Sequence, residues 1–238
     1  LLFIFAFFGC KNRVAYKSPA GYDLTKPEKF TLNNALHEIS GICFLKGNTE
    51  EIYAIEDEDG KLFRYNLASE KTGKSKFGKK GDYEDVSVFN NNSFVVLRSD
   101  GSLFMFPVSA IENEKIDSGV QEYKNILPTG EYEGLTAADG KLFALCKNCP
   151  GDKGKKEVSV YTIQPDSITG LSVTSSFKID ISMVQEQCNR EKFNPSCIAK
   201  HPLTKEWFIV SSVNKLLVVL DEQWKVKEYY PINPSLFN

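Results

Sequence analysis

A short motif that recurs four times constrains the fold of this chain more than any other feature. The copies at 38–42, 82–86 and 131–135 read Glu-Ile-Ser-Gly-Ile, Asp-Tyr-Glu-Asp-Val and Glu-Tyr-Glu-Gly-Leu, and a weaker copy at 194–198 reads Asn-Pro-Ser-Cys-Ile. Each has an acid or Asn, a bulky residue or Pro, Glu or Ser, a variable residue and an aliphatic residue. The copies begin 44, 49 and 63 residues apart. Self-similarity at such a period predicts a repeat architecture.

The sequence after each motif is also repeated, as a turn and three further β-rich runs. Second strands are predicted at 52–55, 94–97, 142–145 and 207–210, third strands at 62–67, 103–108, 158–163 and 216–220, and outer strands at 74–77, 121–126, 175–179 and 225–230. Asp59-Gly60 and Asp100-Gly101 are strong hairpin signals between the second and third strands. Four strands in each unit predict an all-β fold, a β-propeller with four-stranded blades.

Residues 22–32 bear on the number of blades, because they resemble an outer strand without a blade of its own. In a propeller such a strand commonly joins the last blade and closes the ring. The fourth unit already has its own outer strand. We therefore expect a propeller over 22–238 that is a five-bladed ring lacking its last blade, and a complete four-bladed ring is the alternative.

The first ten residues are apolar or small and end in Gly9-Cys10, after which the chain turns polar at Lys11. This pattern is typical of the end of a bacterial secretory signal at a lipoprotein cleavage site. We expect residues 1–10 to be a signal remnant, Cys10 to be lipidated, and 11–21 to be a tether. Two acyl chains suffice for stable membrane anchoring. The alternatives are a short membrane anchor or a buried strand. The prediction places the protein in the bacterial cell envelope, either periplasmic or surface-exposed.

Composition excludes several classes of protein. The chain is 42% hydrophobic, which is ample for a core, and no run of eighteen apolar residues is present for a full membrane span. The 31 acids and 29 bases give a net charge of −2, which argues against nucleic acid as a partner. We expect a monomer that binds the membrane through Cys10 and an unknown small molecule or protein through its propeller.

The cysteine pattern favours a disulfide because the predicted location is oxidising. Cys146 and Cys149 form a CxxC sequence followed by a loop, so a four-thiolate zinc site would have only half of its ligands. A local disulfide between these two residues is the favoured interpretation. Cys188 paired with Cys197, or with one of these two, is the alternative.

The three good motif copies, 38–42, 82–86 and 131–135, resemble the SdiA-regulated (YjiK-like) β-propeller family over roughly residues 22–238. The resemblance implies a propeller outside the cytoplasm, often a lipoprotein in the Bacteroidetes, and implies no particular reaction. Family members continue past the final Asn-Pro-x-Leu-Phe-Asn stretch into another such unit, which favours the five-bladed interpretation. The fourth copy departs from the pattern because Ser196-Cys197 replaces Glu-Gly.

The motif residues predict a channel site, because the start of each innermost strand lies near the propeller axis. Converging carboxylates repel unless they are protonated, paired or metal-bound, and their oxygens suit Ca²⁺. The alternative is structural, with each carboxylate accepting backbone N–H groups from the neighbouring blade. The predicted ligand-binding residues at the channel mouth are Glu38, Ser40, Asp82, Glu84, Glu131, Glu133, Arg98 and Lys147. Glu84 and Glu133 are the metal candidates.

We expect a lipid-anchored binding or interaction module rather than an enzyme, and no catalytic residue is assigned. The alternative is a Ca²⁺-dependent propeller hydrolase such as a lactonase, with the ion held by Glu84 and Glu133. No His-Glu-x-x-His or G-x-S-x-G sequence is present. The sequence does not identify the ligand.

Overall fold

Each sequence repeat folds into a four-stranded antiparallel sheet in the computed structural model, which describes residues 16–32, 34–45, 47–116, 118–188 and 192–237. We call the sheets blades 1 to 4 in chain order. Blade 1 contains β1 (Ile39–Phe44), β2 (Glu51–Glu56), β3 (Lys61–Asn66) and β4 (Thr72–Lys76), and blade 2 contains β5 (Tyr83–Phe89), β6 (Ser93–Arg98), β7 (Leu103–Pro107) and β8 (Gln121–Tyr123). Blade 3 contains β9 (Glu131–Ala138), β10 (Lys141–Asn148), β11 (Glu157–Asp166) and β12 (Gly170–Asp180), and blade 4 contains β13 (Cys197–Lys200), β14 (Trp207–Ser211), β15 (Leu216–Leu220) and β16 (Val226–Pro231).

Within each blade the strands are paired in chain order, and the first strand is the innermost. The inner strands β1, β5, β9 and β13 pack beside one another in that order. In the described residues, helical structure is limited to α1 (Ser182–Gln185) and short 3-10 turns. The all-β propeller with four-stranded blades is confirmed, and the sixteen strands predicted for the four repeat units are present.

Alternating side chains give each blade two apolar faces, because successive residues of a strand point to opposite sides of its sheet. In β2, Tyr53 and Ile55 pack toward blade 2, whereas Ile52 and Ala54 lie in a separate cluster on the other face. Similar buried clusters join blade 2 to blade 3 and blade 3 to blade 4. The propeller is therefore held together by three apolar interfaces between consecutive blades.

The segment before β1 lies between blade 4 and blade 1. Leu24 packs on the face of blade 4 that points away from blade 3, and Leu32 packs on the face of blade 1 that points away from blade 2. Tyr65 donates a hydrogen bond from its hydroxyl to the carbonyl of Thr31 at 3.4 Å. This segment connects the first and last blades at their outer parts.

The predicted outer strand at 22–32 is wrong, because no strand is present there in the structure. Pro27 lacks a backbone N–H and interrupts any ladder that the segment could form. Local turns satisfy part of its backbone instead, with hydrogen bonds from Tyr22 N–H to the carbonyl of Pro19 and from Lys26 N–H to that of Asp23. The segment is held by apolar side chains rather than by strand pairing.

The predictions for the N-terminus stay predictions. The signal remnant 1–10 and the lipidation site Cys10 lie outside the described residues, and the tether 11–21 is described only from residue 16. In the described part of the chain, no helix is long and apolar enough to cross a membrane.

Candidate ligand-binding site

An extra residue interrupts the inner strand at the same motif position in blades 1, 2 and 3. In β5, Tyr83 pairs with Arg98 and Asp85 pairs with Leu97, so that Glu84 between them has no counterpart in β6. The same register shift occurs at Ser40 in β1 and at Glu133 in β9. A β-bulge of this kind re-aims a side chain and is common next to binding and active sites. The bulge therefore distinguishes the Glu-or-Ser position of the motif from the paired residues around it.

The variable motif position lies where neighbouring inner strands come closest. A Cβ atom added to Gly41 would lie 2.6 Å from the Cα of Asp85, and one added to Gly134 would lie 3.2 Å from the backbone nitrogen of Ile198. Glycine at these two positions lets the strands approach. The close packing of neighbouring inner strands thus explains why glycine follows Glu or Ser in these copies of the motif.

Asp85 occupies the same position in blade 2 and fastens blade 2 to blade 3. Its Oδ2 accepts the backbone N–H of Leu135 at 2.7 Å, and its Oδ1 accepts the N–H of Val86 at 2.8 Å. Burial raises the pKa of this carboxyl to about 8, against the opposing effect of the two hydrogen bonds. The structural role that the sequence suggested for the motif carboxylates is thus performed by Asp85, one residue after the bulge.

Lys147 at the end of β10 pairs with two motif carboxylates of blade 3. Its Nζ lies 2.6 Å from Oε1 of Glu133 and 3.1 Å from Oε1 of Glu131. Asn148 also hydrogen-bonds Glu131, and this contact contributes most to the lowered pKa of Glu131. The pKa of Glu133 is raised, because the effect of burial exceeds that of the Lys147 hydrogen bond.

A disulfide connects the residues on either side of Lys147 and Asn148, which contact the acids of blade 3. Cys146 and Cys149 are bonded to each other, and Lys147 and Asn148 lie between them. Cys197, the alternative partner considered for a disulfide, is not in one. The Nζ of Lys192 donates to the carbonyl of Lys147 at 2.7 Å and also contacts Asn148. The CxxC loop therefore presents a fixed cation beside the acids of β9.

Glu84 differs from its counterpart Glu133 because it has no cation of its own. It is half-buried, and no hydrogen bond or ion pair from the described residues reaches its carboxylate. Burial, followed by the negative charges of Glu133 and Asp82, raises the pKa of Glu84 to about 8. At neutral pH this carboxyl group is therefore mainly protonated and can change its charge when a ligand binds.

The structure thus brings five of the eight predicted ligand-binding residues into one electrostatic group. We call this group the acidic mouth, and it consists of Asp82, Glu84, Glu131, Glu133 and Lys147. Glu38 is exposed and Ser40 is half-buried, both at the start of blade 1.

Arg98 is not part of the acidic mouth. Its guanidinium pairs with Asp100 at 2.8 Å and with Glu122 at 3.5 Å, both in its own blade. The sequence placed Arg98 at the end of β6 correctly, but the side chain turns toward the hairpin that follows, where Asp100 lies two residues away.

Sequence reasoning missed the supporting residues of this site. Asp85 stood at a motif position regarded as variable, although an acid among Gly and Cys was a signal of a special role. Tyr83 and Tyr132 occupy the bulky position of the motif. Both are buried, and their hydroxyl groups donate hydrogen bonds to the carbonyls of Lys79 and Pro128, at 2.9 and 2.7 Å. Each thus anchors the loop before its inner strand.

The residues present do not fit the predicted calcium site. Glu133 is already paired with Lys147, and among the described residues no group of three or more His, Cys, Asp or Glu side chains is placed to hold a metal ion. Ca²⁺ takes six to eight oxygen ligands. We therefore derive no chemical step through a metal.

Solved structures similar to this chain are β-propeller proteins. Virginiamycin B lyase from Staphylococcus aureus is 15% identical with a TM-score of 0.50, over 87% of this chain and 59% of the lyase. The nidogen/laminin complex is 10% identical with a TM-score of 0.50, over 78% and 61%. Glutaminyl cyclase from Myxococcus xanthus is 14% identical with a TM-score of 0.51, over 79% and 69%.

These similarities establish the propeller fold and nothing finer. At 10 to 15% identity they carry no activity to this chain. The chain spans about three fifths of the length of the lyase. Its sequence matches no protein-family model and no curated protein.

Proposed function

We propose that this protein is a ligand-binding module that takes a positively charged group, such as a primary amine, at the acidic mouth. The observation that carries the proposal is Glu84, a half-buried carboxyl group at a bulge, without a cation from the described residues. Its equivalent in the next blade, Glu133, has Lys147 at 2.6 Å. A ligand ammonium group beside Glu84 would form the same kind of ion pair in blade 2 that Lys147 forms with Glu133 in blade 3.

Electrostatics support this choice of ligand. Asp82, Glu131 and Glu133 surround Glu84 with negative charge that one lysine offsets only in part. An anionic ligand would be repelled, whereas an ammonium group would stabilise the ionised form of Glu84. The binding energy would come mainly from a charge-assisted hydrogen bond to the half-buried Glu84.

Thermal unfolding with two probes separates this proposal from the metal-dependent alternative. We expect 1,5-diaminopentane to raise the melting temperature of the protein and CaCl2 at equal ionic strength to leave it unchanged. Glu84→Gln should abolish the diamine effect. Glu112→Gln should retain it, because Glu112 is exposed at the periphery of the propeller and pairs only loosely with Arg64 at 3.7 Å. Stabilisation by Ca²⁺ and not by the diamine would favour the metal-dependent hydrolase instead.

We further propose that the chain is a member of the SdiA-regulated (YjiK-like) family and is anchored in the bacterial envelope through Cys10. The support for membership is the recurrence of the motif at the inner strands of three blades in equivalent register. The support for anchoring is the Gly9-Cys10 junction. Radiolabelled palmitate should label the wild-type protein in cells, and Cys10→Ala should be unlabelled and recovered in the soluble fraction.

A further inference from the structure

Ile42 is the exception among four equivalent side chains. It occupies the aliphatic position of the first motif copy, and its counterparts in blades 2, 3 and 4 are Val86, Leu135 and Ile198. These three are 2%, 2% and 3% exposed, whereas Ile42 is 53% exposed. Phe44, two residues further on the same face of β1, is also exposed.

The buried counterparts show what normally covers this position. Val86 packs in one cluster with Ile55 of blade 1, Leu135 with Leu97 of blade 2, and Ile198 with Leu145 of blade 3. In each case the covering residue lies in the second strand of the preceding blade. Ile42 has the corresponding apolar face, but in the described part of the chain no second strand of a preceding blade covers it.

The face of blade 4 that forms the opposite wall of the gap between blade 4 and blade 1 also carries an interface residue that is not fully buried. Val210 of β14 pairs with Cys197 of β13. The equivalent pairs in the other blades are Ile55 with Gly41, Leu97 with Asp85, and Leu145 with Gly134. Those three covering residues are fully buried, whereas Val210 is only half-buried. Val210 therefore faces the gap from blade 4 in the position of a covering residue, and in the described part of the chain no inner strand of a following blade packs on it.

The segment before β1 fills this gap only in part. Leu24 reaches the cluster that contains Val210, and Leu32 reaches the cluster on β2 and β3. Neither cluster includes Ile42 or Phe44. Among the described residues, none of these clusters covers the inner end of the gap on blade 1, although the two walls of the gap carry the residues of a blade interface.

We propose that this gap seats a fifth four-stranded blade of the same polypeptide. The aliphatic residue of its inner strand would pack on Val210, and an apolar residue of its second strand would cover Ile42. Both contacts continue the interface that the structure repeats three times. The inference concerns assembly of the propeller and is independent of the ligand at the acidic mouth.

Hydroxyl-radical footprinting of the protein expressed from its whole reading frame tests this proposal without any substitution. Ile42 and Phe44 should be oxidised several-fold more slowly than Leu203, which is 84% exposed. Oxidation at the rate of Leu203 would overturn the proposal, as would a reading frame that stops after Asn238. Protection that vanishes on dilution would also overturn it, because a second copy would then be the cover.

A matched pair of substitutions gives an independent readout in the same full-length protein. Ile42→Ser should lower the melting temperature by about as many degrees as Val86→Ser, because both residues would be buried at equivalent interfaces. A normal melting temperature for Ile42→Ser beside a lowered one for Val86→Ser would contradict the fifth blade. If neither variant folds, the footprinting result decides.

Discussion

Glu84 and Asp85 are consecutive residues of β5, yet their carboxyl groups do opposite things. Asp85 accepts the N–H of Leu135 in the next blade at 2.7 Å, and Glu84 receives no hydrogen bond from the described residues. The β-bulge at Glu84 separates the two roles, since it removes Glu84 from the ladder and leaves Asp85 in register with Leu97. One side chain holds the blades together and the other is available to a ligand.

The first prediction concerns the contact between blades 2 and 3. Asp85→Ala leaves two buried N–H groups without an acceptor, and we expect the free energy of unfolding to fall by about 3 kcal/mol. Asp85→Asn keeps one acceptor oxygen and should cost about 1 kcal/mol. Urea unfolding at pH 7 measures both. An alanine variant as stable as the wild type would show that Asp85 does not join the blades.

The second prediction concerns the close approach of β1 and β5. Gly41→Ala places a Cβ 2.5 Å from Oδ1 of Asp85 and 2.6 Å from its Cα, so the backbone must move. We expect a loss of roughly 2 to 3 kcal/mol in urea unfolding.

Gly73→Ala is the matched control for this substitution. Gly73 lies in the outer strand β4, where an added Cβ would meet only the Arg64 side chain at 3.7 Å and longer. Its free energy of unfolding should change by less than about 0.5 kcal/mol. Equal effects at the two glycines would refute the role of strand packing at Gly41.

The sequence predicted the strands well because the blade is a local structure. Turns such as Asp59-Gly60 and runs such as 94–97 define each hairpin within about 45 residues, and alternation defines which face is apolar. The direction of Arg98 and the lack of a strand at 22–32 were not predictable in this way. Both depend on competition with nearby partners, Asp100 in one case and the apolar faces of two blades in the other.

The repeat predicted which motif residues occupy equivalent positions, but not the contacts that they make. The repeat indicated that Glu84 and Glu133 are equivalent, and the inner strands do place them equivalently. It could not show that Lys147, which lies between two disulfide-bonded cysteines, forms an ion pair with Glu133 and not with Glu84. The repeat predicts equivalent positions in each blade, and the proposed ligand site depends on the difference between Glu84 and Glu133.

The third prediction concerns pH. The pKa of Glu84 is about 8 in the folded protein and about 4.5 without the fold, so the native state retains a proton that the unfolded state loses in this interval. The contribution of Glu84 to stability is complete below pH 4.5 and is lost as the pH rises to 8. Glu84→Gln stays neutral and should not show this loss.

The expected difference between the two proteins is near zero at pH 4 and roughly 1 to 2 kcal/mol in favour of the variant at pH 9, since solvent screens part of the effect. Urea unfolding at several pH values measures this difference, with Glu112→Gln as the exposed control. A constant difference across the range would contradict the raised pKa of Glu84.

The fourth prediction concerns the pair of Lys147 and Glu133. Lys147→Met leaves the half-buried carboxylate of Glu133 without its cation, and we expect a loss of about 1 to 2 kcal/mol and a further rise in the pKa of Glu133. Lys124→Met is the control, since Lys124 pairs with Glu122 at 3.2 Å on an exposed part of the surface. That pair should contribute less than about 0.5 kcal/mol. Similar losses in both variants would mean that burial of Glu133 has no consequence.

A cation site at Glu84 can be tested by titration calorimetry with 1,5-diaminopentane at pH 7, in two buffers that differ in ionisation enthalpy. Because Glu84 has a pKa of about 8, it must lose a proton to pair with an ammonium group. We expect binding heat and release of most of one proton for each diamine bound by the wild type, and neither for Glu84→Gln. Binding without proton release, or equal binding by Glu84→Gln, would contradict a cation site at Glu84.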